Sequence, residues 1–223
     1  MSQNVSTAVM QRRHEAPDSL DYFPPPPWAT RAFLRETLQT FRNRCGFHNV
    51  WEPACGEGHM VNVLQEFSSN VLASDVHDYG KGHAVGSYVG QGSDVMPPWP
   101  ECDWVVTNPP FNLAVEFAER SLDEARVGVA LLVRSAFAEG GERFNRLFRD
   151  QRPTFIAQYC DRVPMVKGRY DPKASSATSY AWFVWIKDGH YRRLLNSSTR
   201  FRWIEPGAKE RNLHPSDLRR WAA

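Results

Sequence analysis

Cysteine is scarce in the sequence, and the cysteines that occur are scattered. The 223 residues contain four of them, with no C-x-x-C pair. This spacing indicates neither a zinc site nor a disulfide framework, so we expect no bound metal and a reducing, cytoplasmic environment. No apolar run approaches the roughly 20 residues that a membrane-spanning helix needs, and the N-terminus lacks a hydrophobic signal core. We therefore expect no association with membranes.

An excess of charge of one sign is also absent. The chain has 27 basic and 25 acidic side chains, a net charge of +2, which is too small to establish a polyanionic partner by itself. No internal repeat is visible. A hydrophobic content of 42% is that of an ordinary globular domain, and the length suits one domain with a sizeable core.

The composition changes at two points along the chain. Residues 1–20 are polar and aperiodic, with Gln11-Arg12-Arg13-His14 in the middle, and we interpret them as a flexible arm. Residues 21–187 alternate short apolar runs with amphipathic ones, which predicts strands, helices and a parallel, doubly wound α/β sheet. Residues 188–223 are polar, with Tyr191-Arg192-Arg193 near their start, and indicate one helix near Pro215–Trp221. We therefore expect a folded domain with a short C-terminal extension.

A glycine-containing loop follows the first predicted strand. That strand ends at Glu52, and Gly56 and Gly58 allow the loop backbone to approach a ligand closely. A third glycine is missing, so the loop does not complete a dinucleotide-binding fingerprint. Glu52 would repel a pyrophosphate but suits an ammonium group, which disfavours an NAD-dependent oxidoreductase. Asp75 ends the next strand, where a carboxylate can accept hydrogen bonds from ribose hydroxyl groups.

The central stretch is a buried strand at Trp104–Val106 that ends in Asn108-Pro109-Pro110-Phe111. Two prolines forbid strand pairing and helix continuation, so the chain must turn rigidly there. We name residues 108–111 the diproline elbow. It presents a carboxamide and an aromatic ring on a stiff backbone, which suits the binding of a planar ring that carries an amino group.

The elbow resembles the Asn-Pro-Pro-Phe motif of methyltransferases that modify exocyclic amino groups, chiefly adenine N6 in DNA. The stretch Glu52–Gly58 is similar to their first cofactor motif, and Asp21–Thr30 looks like the segment that wraps over the methionine end of the cofactor, with proline in place of the usual threonine. The resemblance covers about Asp21–Ile186. It implies S-adenosylmethionine as cofactor and a doubly wound, mostly parallel seven-stranded sheet. In that fold Phe155–Tyr159 and Tyr180–Ile186 would form an antiparallel edge.

The resemblance also implies roles for individual residues. The catalytic residues would be those of the elbow, Asn108, Pro109, Pro110 and Phe111. The expected cofactor-binding residues are Phe23, Pro24, Thr30, Glu52, Ala54, Gly56, Gly58, Asp75, Val76, Asp94, Val95 and Asn108. Two acceptors, the side-chain oxygen of Asn108 and the carbonyl of Pro109, can take one amino hydrogen each.

The loop between the last two predicted strands is basic. It contains Lys167 and Arg169, which we assign to phosphate contacts, although a solvated surface loop has the same composition. In relatives this region supplies an aromatic residue that stacks on the flipped target base. Met165 and Tyr170 are the candidates by position.

The resulting hypothesis is methyl transfer from S-adenosylmethionine to adenine N6 in DNA, with relaxed or short-site specificity because we expect no separate target-recognition domain. The same chemistry on RNA adenine or on a protein glutamine amide is the closest alternative. A non-catalytic nucleic-acid-binding protein that retains the fold is a further one. The expected partner is DNA, with RNA as the alternative, and the protein would act as a monomer or homodimer.

Overall fold

The computed structural model describes residues 21–187, residue 189 and residues 198–221. The predicted arm at residues 1–20 and the basic Tyr191-Arg192-Arg193 lie outside the described residues. Within them, two layers of apolar side chains cover the two faces of one sheet.

The sheet has eight strands in the described part of the chain. They are β1 Asn49–Glu52, β2 Asn70–Asp75, β3 Ala84–Val85, β4 Trp104–Thr107, β5 Gly128–Arg134, β6 Phe155–Tyr159, β7 Tyr180–Ile186 and β8 Arg200–Ile204. Their spatial order is β3-β2-β1-β4-β5-β7-β6-β8. Strand β7 runs antiparallel to both of its neighbours, and the other pairs are parallel. The predicted doubly wound, mostly parallel α/β sheet is therefore confirmed.

The structure differs from the expected sheet at one edge. Strand β8 pairs in parallel with β6 and adds an eighth strand at this edge. The antiparallel β7 lies inside the sheet, because it pairs with β5 on one side and β6 on the other. The sequence of β8 alternates arginine with aromatic residues, and Phe201 and Trp203 are 52% and 65% exposed. An edge strand with a polar or exposed residue at almost every position does not show the apolar run by which the other strands were predicted.

Helical segments cover both faces. The α-helices are α1 Pro27–Ala32, α2 Gln39–Cys45, α3 His59–Leu64, α4 Ala114–Glu124, α5 Gly141–Arg143, α6 Ala208–Asn212 and α7 Pro215–Trp221. A π-helical turn at Phe33–Thr37 lies between α1 and α2. A second π-helical turn, Phe144–Phe148, continues α5. None of the described helices is long and apolar enough to cross a membrane.

A buried guanidinium group joins distant parts of the fold. Arg31 of α1 is 1% exposed and donates hydrogen bonds to the Glu66 carboxylate at 2.5 and 2.7 Å. It also donates to Asp217 of α7, at 2.9 Å, and to the backbone carbonyl of Asn212. The C-terminal helices therefore pack against the same body as the N-terminal helix.

We expect Arg31→Ala to lower the free energy of unfolding by about 3–5 kcal/mol, because it leaves two carboxylates without their buried partner. The control is Arg211→Ala, which removes an exposed ion pair with Glu36 and should cost no more than about 1 kcal/mol. Urea denaturation of both variants measures the difference. Equal losses would show that the Arg31 cluster is not a stabilising element.

Candidate active site

The functional side chains meet where β1, β2 and β4 end. Glu52, Asp75 and Asn108 follow or close these strands and line one cavity, together with a strap formed by Asp21–Pro25. We name this space the cofactor cavity. Carboxyl ends of parallel strands share one edge of a sheet, and that edge is where open α/β sheets bind ligands.

Glu52 lies at the bottom of the cofactor cavity and is 1% exposed. Its Oε1 accepts hydrogen bonds from the Thr107 hydroxyl at 2.6 Å and from the Ala54 N–H at 3.3 Å. Its Oε2 is buried without a hydrogen-bond partner among the described residues. Desolvation raises the pKa of Glu52 to about 8. A buried carboxylate with a free oxygen is costly, and a cationic ligand would remove that cost.

Asn108 has one half of its amide fixed and the other half free. Its Nδ2 donates a hydrogen bond to the Phe23 carbonyl of the strap at 3.0 Å. Its Oδ1 is buried and has no partner in the described part of the chain. The amino group can only donate and the oxygen can only accept, so the strap contact leaves an acceptor at the wall of the cavity.

Two nitrogen- and sulfur-bearing side chains of the cavity, His59 and Cys55, are uncharged at pH 7. Burial lowers the pKa of His59 to about 4 and raises the pKa of the Cys55 thiol well above its usual range. No Lys or Arg is found among the described residues that line the cavity. The groups that can carry charge here are therefore carboxyl groups, among them Glu52 once it loses its proton, which suits a cation and does not suit a pyrophosphate.

The glycine loop is held from two sides. The N–H of Gly56 donates to Asp75 at 2.8 Å, and the Tyr22 ring covers the other side so closely that a Cβ at residue 56 would lie 2.2 Å from Cε2 of that ring. The Tyr22 hydroxyl accepts a hydrogen bond from the Glu57 N–H at 3.3 Å and lies 3.2 Å from Nδ1 of His59. Gly56 also has a φ of +52°, so the position requires glycine for two reasons.

Three of the predicted cofactor-binding residues line an adjoining groove. Asp94 and Val95 line it together with Val76, which also lines the cofactor cavity. Val76 is 60% exposed, so an apolar side chain stands free where the two spaces meet. An elongated ligand with an aromatic end could therefore extend from Glu52 past Val76 to Asp94.

Some predicted residues lie elsewhere. The cofactor cavity includes Phe23, Pro24, Ala54 and Pro110 as expected, but Thr30 is buried in α1 and lines neither space. Met165 and Tyr170 are 8% and 4% exposed and belong to neither lining, while Arg169 is exposed. Their contacts with substrate stay predictions.

Sequence reasoning missed several residues of the cavity. They are Asp21, Tyr22, Pro25, Cys55, His59, Met60 and Tyr79. What the sequence did not give was the position of the strap residues relative to the elbow. With the prolines packed against the elbow, the residues before them lie over the glycine loop. Asp21 confirms that placement, because its carboxylate accepts a hydrogen bond from the Phe111 N–H at 2.7 Å.

Phe111 points away from the cofactor cavity. It lines a separate cleft with Arg134 and Phe137. The ring centroids of Phe23 and Tyr180 lie 5.6 and 6.0 Å from that of Phe111. The elbow is therefore a wall between two spaces. Asn108 and Pro110 face one of them, and Phe111 faces the other.

The chain resembles solved methyltransferase structures. It matches a modification subunit assigned to a type I restriction enzyme of Vibrio vulnificus, with 12% identity, a TM-score of 0.51 and coverage of 92% of this chain and 52% of that one. The M protein of the type I restriction enzyme EcoKI matches with 12% identity, a TM-score of 0.51 and coverage of 74% and 44%. A Listeria monocytogenes protein assigned to the class I S-adenosylmethionine-dependent methyltransferases gives a TM-score of 0.48 at 13% identity, with coverage of 77% and 62%.

These likenesses establish the fold. The chain has the α/β fold of class I methyltransferases, with a mostly parallel sheet that includes an antiparallel strand. It spans about half of the length of the type I modification subunits that it resembles. No family model and no curated protein matches the chain in sequence.

We expect Gly56→Ala to displace Tyr22 from the glycine loop and to weaken ligand binding in the cofactor cavity at least tenfold, because a Cβ there overlaps the Tyr22 ring. In the double variant Gly56→Ala/Tyr22→Ala this overlap is absent, so most of the affinity lost through it should return. Gly141→Ala is the control, since nothing lies within 4 Å of a Cβ there. Calorimetric titration with S-adenosylmethionine measures the effect. Unchanged affinity in Gly56→Ala would contradict the packing described above.

Proposed function

We propose that the protein transfers a methyl group from S-adenosylmethionine to the N6 amine of adenine in DNA. The observation that carries the proposal is a pair of buried acceptors, Glu52 Oε2 and Asn108 Oδ1, that line one cavity and have no partner in the described part of the chain. One suits the ammonium group of a methionine moiety. The other suits the amino group that is to be methylated.

The cavity fits the proposed cofactor along its length. Glu52 would pair with the ammonium group, and Asp75 would accept the ribose hydroxyl groups. Asp75 already accepts hydrogen bonds from the Gly56 and His77 N–H groups, but each carboxylate oxygen has a second acceptor site. Val76 and Asp94 would contact the adenine ring and its amino group. The bound cofactor supplies a methyl group that is activated by positive charge on sulfur.

The elbow supplies orientation rather than a base. The lone pair of an aromatic amine is delocalised into its ring, so the catalyst has to draw the nitrogen towards tetrahedral geometry. Asn108 Oδ1 and the Pro109 carbonyl accept one amino hydrogen each and direct the lone pair towards the methyl group. The nitrogen becomes acidic as it gains positive charge, so no strong base is needed. These contacts strengthen in the transition state.

Phe111 favours a planar target. Its ring stands at the outer side of the elbow, where a base can stack on it, and a base inside a duplex cannot reach that position without being flipped out. The structural likeness to type I modification subunits supports DNA as the substrate. RNA adenine and a protein glutamine amide present the same amino geometry and are the alternatives.

A substrate assay separates these alternatives. The protein is incubated with methyl-labelled S-adenosylmethionine and, in parallel, unmethylated DNA, RNA and protein extract. Label in DNA at N6 of adenine supports the proposal, and sequencing of the methylated positions reports the site, which we expect to be short or relaxed. Label confined to RNA or to glutamine would show that RNA or protein, and not DNA, is the substrate. Cofactor binding without transfer to any of the three would contradict the enzymatic proposal.

We expect Asn108→Ala to lower the turnover number by about 100-fold or more, because it removes an acceptor that acts in the transition state. The dissociation constant for the cofactor should change only a few-fold. The control is Asn145→Ala on the exposed surface of the π-helical turn after α5. Methyl transfer in Asn108→Ala at the rate of the parent protein would remove this residue from the mechanism.

We expect cofactor affinity to depend on pH through Glu52. Only the ionised carboxylate pairs with an ammonium group, and the free protein holds the proton below a pKa of about 8. Cofactor binding therefore releases a proton, and affinity should rise about tenfold per pH unit from about pH 6 to pH 8 and then level off.

Glu52→Gln should bind weakly and lose this dependence. Calorimetry in buffers of different ionisation enthalpy measures both the affinity and the released proton. An affinity of the parent protein that is flat across this range would show that Glu52 does not pair with the ligand.

A further inference from the structure

The cleft on the outer side of the elbow is a second candidate binding site. It is lined by Phe111, Val133, Arg134, Phe137, Glu139 and Arg143, among others, and shares no lining residue with the cofactor cavity. Its lining contains two guanidinium groups, those of Arg134 and Arg143, and one carboxylate, that of Glu139. The cleft therefore carries a positive charge, in contrast to the carboxylate-lined cofactor cavity.

Arg134 covers the ring of Phe111. Its Cζ lies over that ring, 4.3 Å from the centroid, which is within the range of a cation–π contact. The neighbouring rings of Phe23 and Tyr180 are tilted and lie farther away. A planar guanidinium group thus occupies the stacking position that a target base would need.

The two arginines of the cleft differ in how they are held. Arg143 donates hydrogen bonds to the carbonyls of Glu139 at 2.6 Å and Ala136 at 3.4 Å, so its position is fixed by the backbone. Arg134 forms no ion pair with any described residue; its guanidinium group lies over the Phe111 ring and hydrogen-bonds the Tyr180 side chain. Its side chain is exposed.

The backbone that carries Arg134 is rigid. Arg134 is the last residue of β5 and pairs with Tyr180 of β7. The next residue, Ser135, donates from its N–H to the Ser179 carbonyl at 2.9 Å and from its hydroxyl to Gln158 at 2.7 Å. A movement at this position is therefore confined to the arginine side chain.

We propose that Arg134 exchanges with the target base: it covers Phe111 in the free protein and binds a phosphate group of the substrate strand when the base takes its place. The proposal rests on the function proposed above. A guanidinium displaced from an aromatic ring needs a new partner, and the phosphate next to the flipped nucleotide is the nearest anion that the substrate brings. Arginine binds phosphate with two parallel hydrogen bonds.

The test compares Arg134→Gln with the parent protein and with Arg126→Gln. Arg126 is also exposed, but it lies before the other end of β5 and pairs with Asp103. Binding of a single-stranded oligonucleotide with one central adenine is measured by fluorescence anisotropy between 50 and 200 mM salt. Each lost phosphate contact reduces the dependence of log affinity on log salt by about 0.7 for a single strand. The affinity ratio between 50 and 200 mM salt should therefore be about 2.5-fold smaller for Arg134→Gln than for the parent protein. For Arg126→Gln this ratio should equal that of the parent protein.

A second oligonucleotide tests the exchange itself. It carries an abasic site in place of the adenine, so no base competes with Arg134 for the Phe111 ring. We expect Arg134→Gln and the parent protein to show the same salt dependence with this probe. Methyl transfer to the adenine-containing probe is recorded in parallel, with thermal unfolding as the check that both variants fold.

The outcomes are distinct. A changed salt dependence with adenine and none with the abasic probe supports the exchange. Equal changes with both probes would mean that Arg134 binds phosphate without being displaced by a base. No change with either probe would mean that Arg134 only supports Phe111. Either result overturns the exchange, and the proposed function still holds if the parent protein transfers the methyl group. A parent protein that neither binds nor methylates the DNA overturns both.

Discussion

The candidate site depends on one hydrogen bond, from the amide of Asn108 to the carbonyl of Phe23. It joins the elbow after β4 to a strap about 85 residues earlier in the chain. A carboxamide on a flexible side chain could present either its donor or its acceptor to a ligand. Because the strap fixes the orientation of the amide, the Asn108 oxygen is left without a partner among the described residues, and a ligand that pairs with this oxygen must donate.

The two unpartnered acceptors have a cost in the free protein. An unsatisfied buried acceptor costs about 1–3 kcal/mol, and burial of the Glu52 carboxyl adds to this by raising its pKa. Both costs fall within one cavity, whereas the other buried atoms without a partner among the described residues, Thr30 Oγ1, Arg42 Nε and the Tyr170 hydroxyl, lie outside its lining. Strain and unpaired groups that cluster in this way are typical of functional sites. The rest of the sheet offsets these costs, since β7 is buried throughout and β5 is buried except at Arg134.

The sequence predicted the residues that follow buried strands, and of the strap it predicted Phe23 and Pro24 by resemblance but not Asp21, Tyr22 or Pro25. Glu52, Asp75 and Asn108 stand at strand ends, and parallel strands bring their ends to one edge, so strand prediction alone placed them together. Tyr22 reaches the glycine loop by tertiary packing, for which no local pattern exists. Strand β8 was missed because its aromatic residues alternate with arginines and give no apolar run of the kind by which the other strands were predicted. The position of Arg134 over Phe111 depends on a side-chain conformation, which composition and spacing do not contain.

The strap also connects the two sides of the elbow. Tyr22 covers Gly56 on the cofactor side, the carbonyl of Phe23 holds Asn108, and the Phe23 ring lies beside Phe111 on the outer side. These contacts come from two consecutive residues, so a ligand that moves Tyr22 also acts on the groups that orient Asn108 and Phe111. Energetic coupling between two sites is reciprocal. A ligand in the cofactor cavity and a base against Phe111 therefore influence each other through a short segment whose backbone is stiffened by the prolines that follow it.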